Sequence, residues 1–73
     1  MPKPTLIEMG DMIRRIYRER SGGDPQDLVR VWDEGDLLFV LKNDDTQSVM
    51  PIGDVIHGRE DAIAKALENF QPM

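Results

Sequence analysis

Residues 28–41 read Leu-Val-Arg-Val-Trp-Asp-Glu-Gly-Asp-Leu-Leu-Phe-Val-Leu, and this stretch decides the fold. Two runs rich in Val, Leu and aromatic residues flank an acidic segment with one glycine, which is typical of a β-hairpin. A two-residue Glu-Gly turn would force Glu34 to positive φ, which is unfavourable for a residue with a side chain. The sequence therefore predicts a three-residue loop from Asp33 to Gly35, with Gly35 in the left-handed conformation as part of a bulge.

The loop length determines which side chains share a face of the sheet, because successive residues of a strand alternate between its two faces. With three residues in the loop, the face toward the core is predicted to carry Val29, Val31, Leu37, Phe39 and Leu41. The opposite face is predicted to carry Leu28, Arg30, Trp32, Asp36, Leu38, Val40 and Lys42.

The first segment is predicted to be a helix from about residue 5 to residue 21. Thr5 and Glu8 have the spacing of a capping box, and the helix is expected to end at Ser21-Gly22-Gly23. Between these ends, apolar residues recur at helical spacing, with Gly10 on the same face, where a neighbour can approach closely. The residues of this stripe are Leu6, Met9, Ile13, Ile16 and Tyr17.

The second half of the chain predicts one more strand and one more helix. Residues 47–52 are expected to form a third strand, followed by an irregular connection over residues 53–58. A second apolar stripe predicts a helix over about residues 59–70. The predicted core consists of Ile13, Ile16, Val31, Phe39, Ile63, Leu67 and Phe70.

The predicted fold class is α+β, as a single small domain over residues 1–73. The element order is α-β-β-β-α, which is most simply a three-stranded antiparallel meander with both helices on one face.

The charge balance argues against nucleic acid as a direct partner. The 73 residues include 9 Lys and Arg but 14 Asp and Glu, so the formal net charge is −5. Binding to nucleic acid depends largely on basic residues that neutralise phosphates, and this chain repels polyanions overall.

The sequence carries no pattern of an enzyme. The chain has no Cys and one His, so it offers no thiolate and no structural zinc site. It also lacks a glycine-rich phosphate-binding motif, and no nucleophile is spaced with a base. We therefore expect neither catalytic activity nor a cofactor or metal. Since no apolar run is long enough for a membrane span and residues 1–4 do not begin a signal peptide, we expect a cytoplasmic protein that does not bind membranes.

Trp32 is the first candidate for a binding residue, and it has two interpretations. In the predicted register it lies on the sheet face away from the helices, within an apolar patch beside Arg30. Exposed patches with Trp and Arg are typical of protein interfaces. In a different register Trp32 would be a core residue.

Four arginines within seven residues form a second candidate surface. They are either a solvated helix face, partly paired with Asp11 and Glu19, or a docking stripe. Such a stripe would suit a carboxylate-rich partner better than a nucleic-acid backbone. The arginines are Arg14, Arg15, Arg18 and Arg20. The predicted partner-binding residues are Trp32 and Arg30, with Arg14 and Arg15 at the margin.

The run of residues 31–40, Val-Trp-Asp-Glu-Gly-Asp-Leu-Leu-Phe-Val, together with the length, the acidic charge and the lack of cysteine, resembles one group of proteins. These are the small regulators of host RNA polymerase made by lytic phages of Xanthomonas. The resemblance implies direct binding to the bacterial enzyme, near the amino-terminal part of its β′ subunit. It further implies inhibition of σ-dependent initiation, and for some such proteins antitermination. It assigns no individual binding residues.

Other functions remain open from the residues alone. One is an acidic mimic of nucleic acid that inhibits a nucleic-acid-binding protein, and another is a generic protein–protein interaction module. We expect a monomer, although the sequence leaves open a homodimer that pairs through an exposed sheet edge.

Overall fold

The computed structural model describes residues 3–72, so Met1, Pro2 and Met73 of the predicted domain lie outside the described residues. The first half of the chain contains a helix, a short 3₁₀ turn and two strands: α1 (Leu6–Ser21), the turn (Pro25–Asp27), β1 (Leu28–Glu34) and β2 (Leu37–Lys42). The second half contains β3 (Thr46–Pro51), α2 (Ile52–Ile56), α3 (Glu60–Ala66) and β4 (Gln71–Pro72).

The strands form one antiparallel sheet in the order β1-β2-β3-β4. The inward residues of the sheet pack with the helices in a single core. The α+β class and the α-β-β-β-α order are therefore confirmed. The short α2 and β4 are elements that the sequence did not predict.

Helix α1 begins and ends as predicted. The Thr5 hydroxyl accepts a hydrogen bond from the Glu8 N–H at 3.2 Å, and the Glu8 carboxylate accepts one from the Thr5 N–H at 2.9 Å. Hydrogen bonding to the Glu8 carboxylate, chiefly from the Thr5 backbone N–H and then from the Thr5 side chain, holds the pKa of that carboxyl below its usual value. Gly22, with φ 69°, ends the helix in the left-handed conformation.

The predicted close approach at Gly10 is also present. A Cβ atom at Gly10 would lie 3.8 Å from the Cβ of Val31, so the helix backbone lies directly against β1.

The predicted hairpin loop is wrong by one residue in length. Glu34 pairs with Leu37, so the loop contains only Gly35 and Asp36. Gly35 has a positive φ of 61°. Asp36, the other loop residue, does not, since Asp45 is the one described non-glycine residue with positive φ. A loop with positive φ at its first residue is well suited to glycine and matches the right-handed twist of the two strands.

This shorter loop reverses the predicted faces of β2. Leu38 and Val40 are fully buried against the helices, whereas Leu37, Phe39 and Leu41 lie on the other face. Along β1, Val31 does face the core as predicted. Val29 does not, because it lies at a bulge between Leu28 and Arg30 and is exposed, while Leu28 is buried.

The core lies between the helices and one face of the sheet. Among the predicted core residues, Ile13, Ile16, Ile63 and Leu67 are buried. Val31 and Phe70 are partly buried at its edge, and Phe39 lies outside it, which corrects the prediction. Further buried residues are Met9, Tyr17, Leu28, Leu38, Val40, Met50, Ile52, Val55 and Ala64.

The carboxyl-terminal helix is shorter than predicted, ending at Ala66 instead of about residue 70. Phe70 has left the helix, and its ring meets the Tyr17 ring edge to face, with 6.2 Å between the centroids. The next residue, Gln71, pairs with Gln47 of β3. Burial of the Phe70 ring and pairing with β3 thus replace the last helical turn.

Candidate functional site

The sheet face opposite the helices carries nine side chains in three cross-strand rows. The rows, read from β1 through β2 to β3, are Arg30–Leu41–Gln47, Trp32–Phe39–Val49 and Glu34–Leu37–Pro51. We call these nine residues the open face. The helices lie on the other side of the sheet, and Leu37 and Val49 on the open face are 42% and 41% exposed.

None of the helices within residues 3–72 combines the length and the hydropathy that a membrane span requires.

Trp32 lies in the central row of the open face, where three neighbours hold it. Its ring stacks on Phe39 with 5.3 Å between centroids and 11° between planes. The Arg30 guanidinium carbon lies 4.9 Å from the centre of the indole ring. The indole Nε1–H donates to the Glu34 carboxylate at 3.3 Å. Trp32 is therefore a partly exposed aromatic side chain with a fixed orientation, which lowers the entropic cost of binding through it.

Of the two interpretations of Trp32, the structure supports its position on the face away from the helices. The neighbours predicted for it there are wrong, because Leu28, Leu38 and Val40 are core residues. Phe39, which the sequence predicted to face the core, lies beside Trp32 instead, with Val49 as the next residue of the same row.

The open face has an apolar centre with opposite charges at two of its corners. Arg30 and Glu34 are placed two residues before and two residues after Trp32 on the same strand. Between and beside them lie the apolar rows of β2 and β3. An apolar centre with a polar rim is the usual composition of a protein–protein interface.

Arg14 and Arg15, predicted at the margin of this site, do not join it. Both lie on α1, on the helical side of the sheet. The Arg14 Nε and Nη2 atoms donate to the Leu28 carbonyl oxygen at 3.2 and 3.0 Å, which fixes α1 to the start of β1. Arg15 donates to the carboxylates of Glu60 and Glu19, both at 3.0 Å, and hydrogen bonding to Glu60 is the main reason that the pKa of Arg15 is raised.

The arginine stripe is therefore largely paired within the chain. Arg20 donates to the Asp61 carboxylate at 2.7 Å, which adds a second tie between α1 and α3. Exposed ion pairs of this kind contribute little stability each, but they occupy the charges that a docking stripe would need. Of the two interpretations of the arginines, the structure supports a paired, solvated helix face.

Two further features of the described residues are the distribution of possible metal ligands and a groove beside α3. Among the described residues, no group of His, Asp and Glu could hold a metal ion. A groove of about 690 Å³ lies between β3 and α3, with Lys65 and Glu68 in its lining. The Ser48 hydroxyl in the same groove is buried and donates to the Ala66 carbonyl, so its proton is already held by the backbone.

Comparison of the chain with protein-family models, with curated proteins and with solved structures finds no match in any of the three.

Sequence reasoning missed Phe39, Leu37 and Val49 as members of the binding surface. Residues 37–41 are apolar at every position, so alternation along β2 does not distinguish the inward from the outward side chains. Val49 carried no such signal either, because its neighbours Ser48 and Met50, one polar and one apolar, are both buried.

Proposed function

We propose that this protein is a non-enzymatic transcription regulator that binds bacterial RNA polymerase through the open face and inhibits σ-dependent initiation. The observation that supports binding is the uncovered apolar centre of the open face, in which Trp32 is held by Phe39, Arg30 and Glu34. The resemblance of residues 31–40 to phage regulators supports the choice of polymerase, with the amino-terminal region of β′ as the first segment to test. On the same grounds we propose action in the cytoplasm of the host cell and a further effect on termination.

Docking on this face would bury the central row of Trp32, Phe39 and Val49. Truncation of a central aromatic residue in an interface typically costs about 2–4 kcal/mol of binding free energy. The charges of Arg30 and Glu34 lie at the rim, where they influence the association rate and its salt dependence more than the final affinity.

The decisive experiment compares Trp32→Ala with Ile7→Ala in binding to purified polymerase. Ile7 is a large apolar residue on α1, it is 78% exposed, and it lies outside the open face, so it is a matched control for loss of exposed apolar surface. We expect Trp32→Ala to weaken binding at least about tenfold and to relieve inhibition of promoter-complex formation. Ile7→Ala should leave both unchanged.

Trp32→Ala also removes one aromatic stack and one cation–π contact, which together stabilise the fold by about 1–2.5 kcal/mol. Thermal melting of the variant must therefore confirm that it is folded at the assay temperature, and Trp32→Phe, which keeps a ring for Phe39 to stack on, serves as a second variant. If the wild-type protein neither co-migrates with polymerase nor changes promoter complexes, the proposed function is wrong. Binding that is equal in the Trp32 and Ile7 variants would instead exclude the open face as the site.

Acidic mimicry of nucleic acid is the competing function. It is favoured by three carboxylates at the hairpin tip, Asp33, Glu34 and Asp36, which are exposed and form no ion pair within the described chain. A salt series separates the two functions. Mimicry requires partner affinity to fall steeply with salt, whereas apolar docking predicts a shallow dependence.

A further inference from the structure

β1 is an edge strand with unpaired backbone groups. It pairs with β2 on one side, and no described strand lies on the other. Glu34 and Leu37 close the two-residue loop, and their backbone N–H and C=O groups point toward each other. Along a strand, the N–H and C=O groups of successive residues point alternately toward one side and toward the other. Arg30 and Trp32 therefore direct their N–H and C=O groups to β2, while Val31 and Asp33 direct theirs outward. No hydrogen bond from another described element reaches the backbone of Val31 or Asp33.

The side chains along this edge are complementary to a second copy of themselves. When two identical strands pair antiparallel, each step forward along one strand matches a step backward along the other. If Trp32 lies opposite Trp32 of the second copy, Arg30 lies opposite Glu34 of the second copy, and Glu34 lies opposite its Arg30. Val31 and Asp33, whose backbone groups point outward, then form the hydrogen-bonded pairs.

We propose that two copies of this protein associate through their β1 edges, with Trp32 facing Trp32 across the axis. The pairing provides four intermolecular backbone hydrogen bonds, two exchanged by each Val31–Asp33 pair. On the open face it places two opposite-charge pairs on either side of two adjacent indole rings, and such cross-strand pairs are favourable. The two sheets join into one, as in other cases of strand addition.

Two other alignments of the paired β1 strands also bring outward backbone N–H and C=O groups opposite each other, and both are disfavoured. A shift in one direction places Asp33 opposite Asp33 of the second copy, so like charges face each other. A shift in the other direction brings Val29 into the ladder, where the β-bulge interrupts regular pairing. The register centred on Trp32 avoids both problems.

A single pair of edge strands buries little surface, so the dimer is weak and depends on protein concentration. It departs from the monomer expected from the sequence. It does not depend on the proposed function, because it extends the sheet at the β1 edge. Of the open face, only Arg30, Trp32 and Glu34 meet the second copy, and the residues of β2 and β3 stay uncovered.

The test is sedimentation velocity over a concentration series, with Arg30→Glu and Glu34→Arg as a matched charge-reversal pair. Each single variant places like charges opposite each other twice, so we expect each to weaken self-association at least about tenfold. An equimolar mixture of the two variants restores both opposite-charge pairs and should associate like the wild type. The double variant, which exchanges the two charges within one chain, should also associate.

A third variant, Asp33→Pro, tests the backbone contacts separately. Proline is tolerated in an edge strand where the missing N–H faced outward, so the variant should fold but remain a monomer. Melting curves of every variant are needed to show that it is folded at the temperature of the experiment. The proposal is overturned if the wild type is still a monomer at about 1 mM, if the single variants associate as well as the wild type, or if their mixture does not associate.

Discussion

Leu37 and Leu38 are adjacent residues of the same type on opposite faces of β2, and this makes them a direct test of the hairpin register. Leu38 is fully buried, whereas Leu37 is 42% exposed on the open face. Replacing either by alanine removes the same atoms and alters the unfolded chain in nearly the same way. The difference between Leu38→Ala and Leu37→Ala in the free energy of unfolding therefore reports the folded state.

The expected magnitudes follow from burial. Removing three buried carbon groups from Leu38 costs about 2.4 kcal/mol of transfer free energy at about 0.8 kcal/mol each. The cavity that remains raises the total toward the upper half of the range of about 2–5 kcal/mol. Leu37, roughly half of whose surface is already exposed, should cost about 1 kcal/mol.

The assay is urea unfolding followed by far-ultraviolet circular dichroism, with the free energies of the two variants compared. A 73-residue domain has a total stability of about 4–11 kcal/mol, so Leu38→Ala removes a large fraction of it, and low temperature keeps the variant measurable. If Leu37→Ala were the more destabilising of the two, β2 would present its other face to the core. The open face, and with it the proposed binding site, would then be wrong.

Three further variants test individual contacts. Arg14→Ala leaves the Leu28 carbonyl without two charged donors and should lower the free energy of unfolding by about 1–3 kcal/mol, whereas Arg18→Ala, on the exposed side of the same helix, should lower it by less than about 0.5 kcal/mol. A Cβ at Gly23 would overlap the Tyr17 ring, so thermal melting should show Gly23→Ala to be destabilising, by about 1–3 kcal/mol, while Gly53→Ala, with open space around it, should not be. The folded pKa of Glu8 is lowered, so its contribution to stability is complete above the unfolded pKa and is lost as pH falls through the folded one. The difference in melting temperature between the wild type and Glu8→Gln should accordingly shrink on acidification from about pH 7 to about pH 3, and a constant difference would contradict the capping assignment.

Local signals in the sequence predicted α1 well. Thr5 and Glu8 satisfy each other's backbone groups, and Gly22 takes the one conformation that ends the helix cleanly. Both effects act between residues that are close in the sequence, so they do not depend on the rest of the fold. The end of α3 was predicted poorly, because it is decided by distant partners of the chain. Phe70 packs on Tyr17 and Gln71 pairs with Gln47, and neither contact is visible in the spacing of residues 59–70.

The binding surface was predicted only in part, and for a similar reason. The pairing of Arg15 with Glu60 and of Arg20 with Asp61 joins residues more than 40 positions apart, so the sequence could not show that these arginines were already occupied. Arg30, by contrast, lies two residues from Trp32 on the same strand, and strand periodicity alone places both side chains on one face.

Trp32 was assigned to the correct face although the loop length was wrong, and the parity of the pairing explains how. A loop with an odd number of residues would have closed the hairpin at Trp32 and Asp36, whereas the even loop closes it at Glu34 and Leu37. Changing the loop length by one residue exchanges the inward and outward side chains of one strand relative to the other. The loop length alone does not decide in which of the two strands this exchange takes place. Val31 fixes β1, because it packs directly against Gly10 of α1, so the error in loop length falls on β2. The error thus changes the neighbours of Trp32 and leaves its exposure unaltered: in place of Leu38 and Val40, the aromatic ring of Phe39 lies beside it, and that ring is what holds Trp32 in a fixed orientation for a partner.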